Sequence, residues 1–183
     1  MRRISVMRIG LFVIVVALTF YFLQDKQAET AFDTSAVATT APETVQTHVI
    51  PDGWREYRNS TYRFSLLHPQ ALEVKEYPEE GNAMTITFQD IKKKEGFQLF
   101  IVPYQEPQVS EERFKKDIPS GVRIDLTNIT VDSATGAAFY SSNVALGETR
   151  EVWFIHGGYL YEVTTLKLLD AWMDEIIQTW KFL

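Results

Sequence analysis

Residues 149–166 read TREVWFIHGGYLYEVTTL, and this stretch decides the fold. Gly157-Gly158 is a two-residue loop of the kind that primed turns demand, because both central residues of such a turn take positive φ and glycine does so without a Cβ penalty. Beyond the loop Tyr159, Tyr161, Val163 and Thr165 alternate with Leu160, Glu162, Thr164 and Leu166, the period of two that sends successive side chains to opposite faces of a sheet. Residues 149–156 supply the partner strand, so the loop fixes an antiparallel register.

Working outward, residues 84–89 repeat the pattern: Met84, Ile86 and Phe88 alternate with Thr85, Thr87 and Gln89, which predicts a strand with one buried face. Residues 97–102 carry apolar side chains on both faces and read as a central strand, reached through a charged hairpin loop at Lys92, Lys93 and Lys94. Residues 54–57 and 62–67 form two aromatic-rich strands around Asn59-Ser60, the second closed by His68-Pro69 because proline cannot continue a ladder. Further strands fall at 73–77, 122–131 and 136–142, with a bulge expected near Thr127-Asn128, where the apolar phase changes. Ser110 caps a short helix to about Asp117, with Glu111 and Glu112 in its first turn and Lys115 and Lys116 near its end, matching the helix dipole at both poles. A last helix places Leu168, Leu169, Trp172, Met173, Ile176, Ile177 and Trp180 on one stripe, with Asp170, Asp174, Glu175 and Gln178 facing away. Strands that mostly follow strands predict an α+β fold, an antiparallel sheet covered by helices.

The start of the chain has a different composition. Arg2, Arg3 and Arg8 precede an apolar run, residues 9–23, that contains Ile9, Leu11, Phe12, Val13, Ile14, Val15, Val16, Leu18, Phe20, Tyr21, Phe22 and Leu23. As a helix this run is a single transmembrane signal anchor. Its arginine flank leaves residues 1–8 in the cytoplasm by the positive-inside rule, and the three aromatic residues near its end match an interfacial belt. The alternative is a cleaved secretory signal, but Gln24, Asp25 and Lys26 follow the run where cleavage wants small residues. Residues 24–50 are poor in large apolar side chains and read as a flexible linker. Residues 51–183 then form one extracytoplasmic domain.

The first fifty residues carry four basic and four acidic side chains, so the net charge of −6 belongs to the domain. An acidic domain suits a neutral or basic protein partner and is a poor match for nucleic acid or for anionic lipid, both of which need a basic surface to release counterions. Cysteine is absent, which removes disulfides, thiolate metal sites and cysteine nucleophiles. No catalytic motif occurs, so the chain reads as a non-enzyme with no cofactor. The only histidines are His48, His68 and His156. His156 stands near Glu151 and Glu162 in sequence, yet a turn residue or edge hydrogen bonder is its plainer reading. Glu79-Glu80 with Asp90 and Asp132 could gather oxygens for a cation, but reads as solvated turns. Trp54, Trp153, Trp172 and Trp180, at strand and helix spacing, read as core.

The aromatic opening, Tyr62-Arg63-Phe64-Ser65 leading to His68-Pro69, the Gly157-Gly158 hairpin with Tyr159 and Tyr161, and the ending Thr179-Trp180-Lys181-Phe182 together resemble the PsbP-like family over most of the folded part. That resemblance implies an α-β-α sandwich on an antiparallel sheet. Its members include an extrinsic subunit of photosystem II and small bacterial envelope proteins, so it implies protein binding at a membrane surface and no shared chemistry. No functional residue is carried over. The function expected is a membrane-anchored extracytoplasmic binding or assembly module; the alternative is an envelope domain that takes a small hydrophobic ligand or lipid.

Overall fold

The computed structural model describes residues 50–183. The expected anchor, Ile9 to Leu23, and most of the linker lie outside them. Among the described residues no helix is long and apolar enough to cross a membrane.

Among the described residues, ten strands and two α-helices follow one another as β1 (Trp54–Asn59), β2 (Phe64–Pro69), β3 (Glu73–Pro78), β4 (Met84–Asp90), β5 (Glu95–Pro103), α1 (Glu111–Asp117), β6 (Ile124–Val131), β7 (Ala134–Asn143), β8 (Gly147–His156), β9 (Tyr159–Leu166), α2 (Asp170–Gln178) and β10 (Lys181–Phe182). The main sheet has seven strands in the order β3-β4-β5-β9-β8-β7-β6, and a small sheet has the order β1-β2-β10. Every pairing is antiparallel. The glycine hairpin forms as expected: Gly157 and Gly158 have φ of 58° and 84°, and His156 pairs with Tyr159. β6 has its irregularity between Ile124 and Thr127, and Ser110 caps α1 by accepting from the Arg113 N–H at 3.1 Å.

Alternation divides the main sheet into two faces. One carries Ile86, Phe88, Leu99, Ile101, Phe154 and Val163, all buried in the larger core. α2 and the small sheet cover it, and the Trp180 ring stacks on Phe64 with centroids 4.5 Å apart. The other face carries Phe139, Trp153 and Leu160, which close on Phe114 of α1. The layers therefore resemble the expected sandwich, except that one outer layer is shared between a helix and a second sheet.

Four local expectations need correction. β4 is buried on both faces, with Thr85 and Thr87 only 2% and 3% exposed, because its second face lies within the sheet's polar row. β2 starts at Phe64 and not at Tyr62, since Arg63 takes a φ of 53° that no strand residue adopts. Leu168 does not join the apolar stripe of the last helix; it lies in a 3-10 turn, Lys167–Leu169, and is 80% exposed. Asp170, expected to face away, instead pairs with Arg150 at 2.8 Å, whereas Asp174 stays exposed and only reaches Arg150 at 3.6 Å.

Candidate functional site

Because β8 and β9 are locked by the glycine turn, Glu151 lies opposite Thr164 and Glu162 opposite Trp153, all on the face that α1 covers. Both carboxylates are buried, at 2% and 4% exposure. Burying an ionised carboxylate is costly unless it is paired, so the partners decide its state. Glu151 accepts from Thr149 Oγ1 at 2.7 Å, Thr164 Oγ1 at 2.6 Å and Trp153 Nε1 at 3.4 Å. These are neutral donors. Burial outweighs them and pushes the Glu151 carboxyl up to about 7.

Glu162 has a charged neighbourhood delivered by α1. Arg113 Nη2 donates to Glu162 Oε1 at 3.3 Å, and Arg113 also pairs one helical turn on with Asp117. Burial, then the adjacent Asp117 charge and the hydrogen bond to it, hold the Glu162 carboxyl well above the usual carboxylate range, against the pull of Arg113. Asp117 is raised mainly by burial, and is eased by the hydrogen bond from Glu162 and by Arg113. Arg113 is the cation that faces both acids, and it offsets part of the cost of burying them. The row continues outward: Gln98 and Ser141, cross-strand from Thr164 and Thr149, each keep a buried side-chain oxygen without a partner among the described residues.

The residues singled out from sequence scatter. His156 stacks on Phe182 with centroids 3.6 Å apart, on the face opposite Glu151 and Glu162, so the sheet separates the imidazole from both acids. His68 is buried; Arg55 Nε donates to its Nε2 at 3.3 Å while Nδ1 donates to the Pro69 carbonyl at 2.9 Å, and burial pushes its pKa down. His48 lies outside the described residues. Glu79 accepts from Thr85, Asp90 from the turn after it, and Asp132 from Lys181 and the Phe182 N–H, so these acids serve three separate places. Among the described residues no three His, Asp or Glu side chains are grouped as a metal ion would require. Trp153 and Trp180 are core, whereas Trp54 and Trp172 are half-buried against it. Sequence reasoning missed Arg113 and Asp117. The available signal was two acids, Glu151 and Glu162, set inside strands whose other residues are buried.

No family profile matches the chain, and no curated protein matches it in sequence. In three dimensions it is similar to the solution structure of cyanobacterial PsbP (CyanoP) from Synechocystis sp. PCC 6803, with a TM-score of 0.53 and 10% identity, over 78% of this chain and 98% of that one. The fold is PsbP-like.

Proposed function

We propose that this PsbP-like domain is a non-catalytic binding and assembly module, held at a membrane by residues 9–23 and working outside the cytoplasm. The observation that carries the non-catalytic part is where the domain's perturbed acids lie. Glu151 and Glu162 are sealed between sheet and α1, and their oxygens bond to Thr149, Thr164, Trp153 and Arg113 of the same chain. Glu162 ties α1 to the sheet through Arg113, and Glu151 bonds within the sheet; a general acid or base must instead reach a substrate proton. Fold analogy with the PsbP-like family supports a protein partner, and the domain's net charge of −6 favours one with a neutral or basic surface.

The test is extraction and capture of the full chain. It should stay with membranes through an alkaline carbonate wash, and mild crosslinking should then recover one specific companion. Recovery of the chain in the cytosol, or substrate turnover by the purified protein, would overturn the reading.

A further inference from the structure

Seven large apolar side chains are exposed among the described residues. Ile50 and Leu183 stand at the two ends of that stretch. Four of the other five, Ile91, Ile124, Val144 and Leu168, gather at one end of the main sheet, and Leu126 lies further along β6. The ladder shows why: Asp90 pairs with Glu95 below the tip that carries Ile91, and Asn143 pairs with Gly147 below the tip that carries Val144. Leu166 pairs with Thr149 just before Leu168, and Ile124 pairs with Tyr140 at the start of β6. The opposite end, with turns at Glu79 to Ala83, Asp132-Ser133 and Gly157-Gly158, exposes one large apolar side chain, the chain-terminal Leu183 at 36%, next to Phe182, whose N–H is held by Asp132.

Both tips are held in shape. Asp90 Oδ1 accepts from the Lys92 and Lys93 N–H groups at 3.0 and 3.2 Å, and Asn143 Oδ1 from those of Ala145 and Leu146 at 2.8 and 3.2 Å. The exposure of Val144, at 102%, is thus a built feature. Lysines stand beside the apolar points: Lys92, Lys93 and Lys94 follow Ile91, and Lys167 precedes Leu168. Lys92 and Lys94 have no ion pair among the described residues, while Lys93 reaches Glu95 at 4.0 Å and Lys167 reaches Glu148 at 2.8 Å.

We propose that this end of the sheet rests on a phospholipid bilayer, with Ile91, Val144 and Leu168 entering the boundary between headgroups and acyl chains and Lys92 and Lys94 on headgroup phosphates. The pattern fits a lipid surface better than a protein. The apolar points are aliphatic, and the two hairpin tips stand three strand spacings apart, about 14 Å. A protein interface instead gathers aromatic and apolar side chains into one packed centre. Lysine stems beside single apolar side chains can lie along the interface with their ammonium groups at the phosphates. The inference rests on the membrane tether proposed above. Residues 24–50 reach on the order of 90 Å at full extension, so chain length is no obstacle to this orientation. A tethered domain also needs only weak docking, because the bilayer is always close by.

The absence of cysteine gives a direct test. Single cysteines at Val144→Cys, Leu168→Cys and, at the far end, Ser133→Cys are labelled with a polarity-sensitive fluorophore. The full chain is then placed in vesicles of phosphatidylcholine and phosphatidylglycerol. Labels at 144 and 168 should shift to the blue and be quenched by nitroxide-bearing lipids, while the label at 133 stays aqueous. The double variant Val144→Asp/Leu168→Asp, altered only at exposed tips, should lose this blue shift and lipid quenching while the chain stays with the vesicles. Aqueous labels at both ends on a chain that resists carbonate overturn the docking and leave the anchor standing. Labels shielded from water but not quenched by lipid nitroxides point to contact with a second copy of the chain and also overturn it. If the chain washes off the vesicles, the anchor fails. The docking then stands only if added vesicles still shift the labels at 144 and 168, and falls if they do not.

Discussion

Glu151 makes stability depend on pH in a direction opposite to that of most carboxylates. Its carboxyl goes from an ordinary 4.5 to about 7 on folding, chiefly through burial. Below pH 4.5 both folded and unfolded chains hold the proton. Between 4.5 and 7 the unfolded chain releases it and the folded chain does not, so stability falls as pH rises; above 7 both are ionised and the fall ends. At about 1.4 kcal/mol for each pH unit of that gap, the loss comes to about 3 kcal/mol, or roughly 10 °C in Tm for a domain of this size. Glu151→Gln removes the titration while keeping the packing. Its carbonyl can accept from Thr164 and Trp153, and its amide can donate to Thr149 Oγ1. Urea unfolding followed by tryptophan fluorescence from pH 4.5 to 8 should show the unsubstituted chain losing about 3 kcal/mol more than the variant. His68 and Asp117 titrate in both proteins and largely cancel. Glu162 does not cancel fully, because the Glu151 charge helps to raise it, and removing that charge acts in the same direction. Parallel stability curves for the two proteins would refute the assignment of the proton to Glu151.

Three further outcomes follow from the packing. Arg113→Met removes the cation that pairs with both Asp117 and Glu162, so it should cost about 3 kcal/mol at pH 7 in urea unfolding, and Asp117→Asn in the same chain should recover part of the loss. Gly136→Ala would set a Cβ 2.4 Å from the Trp153 carbonyl oxygen and 2.7 Å from Phe154 Cβ, both on the paired strand, so β7 and β8 must part; a loss of about 2 kcal/mol is expected in thermal unfolding. Ser110→Ala removes the cap of α1 and should cost about 1 kcal/mol, with faster amide exchange confined to the first turn of that helix.

The parts of the fold that were legible in the sequence are those governed by local periodicity or turn chemistry. The double glycine set one register, the Met84 to Gln89 alternation marked a strand, and the phase change near Thr127 located a bulge, because each signal lies within a few residues of what it controls. The strand order was not legible. β9 inserts between β5 and β8, which brings Leu99 to Val163 across a separation that no short pattern encodes. The end of the chain failed for a related reason. Residues 168–180 have helical spacing throughout, but α2 ends at Gln178, and the short β10 then pairs Phe182 with Phe64. Trp180 keeps its place in the core by stacking on Phe64 after the helix has ended. Burial selected it, and the periodicity there was coincidental.

The acid cluster was half legible. Once the glycine loop fixes His156 opposite Tyr159, counting back in pairs puts Glu151 opposite Thr164 and Glu162 opposite Trp153, on one face, with His156 on the other. The hairpin register alone therefore forbids any joint role for His156 and these two acids. What it cannot supply is the helix. Arg113 and Asp117 come from α1, 49 residues before Glu162 in the case of the Arg113 bond, and they arrive because Phe114 between them packs on Phe139 and Trp153. The apolar contact thus delivers the cation that lets a second acid be buried beside the first. Replacing Phe114 should consequently disturb the ionisation of Glu162 although the two side chains belong to different clusters, a coupling between packing and charge that neither residue's own sequence neighbourhood contains.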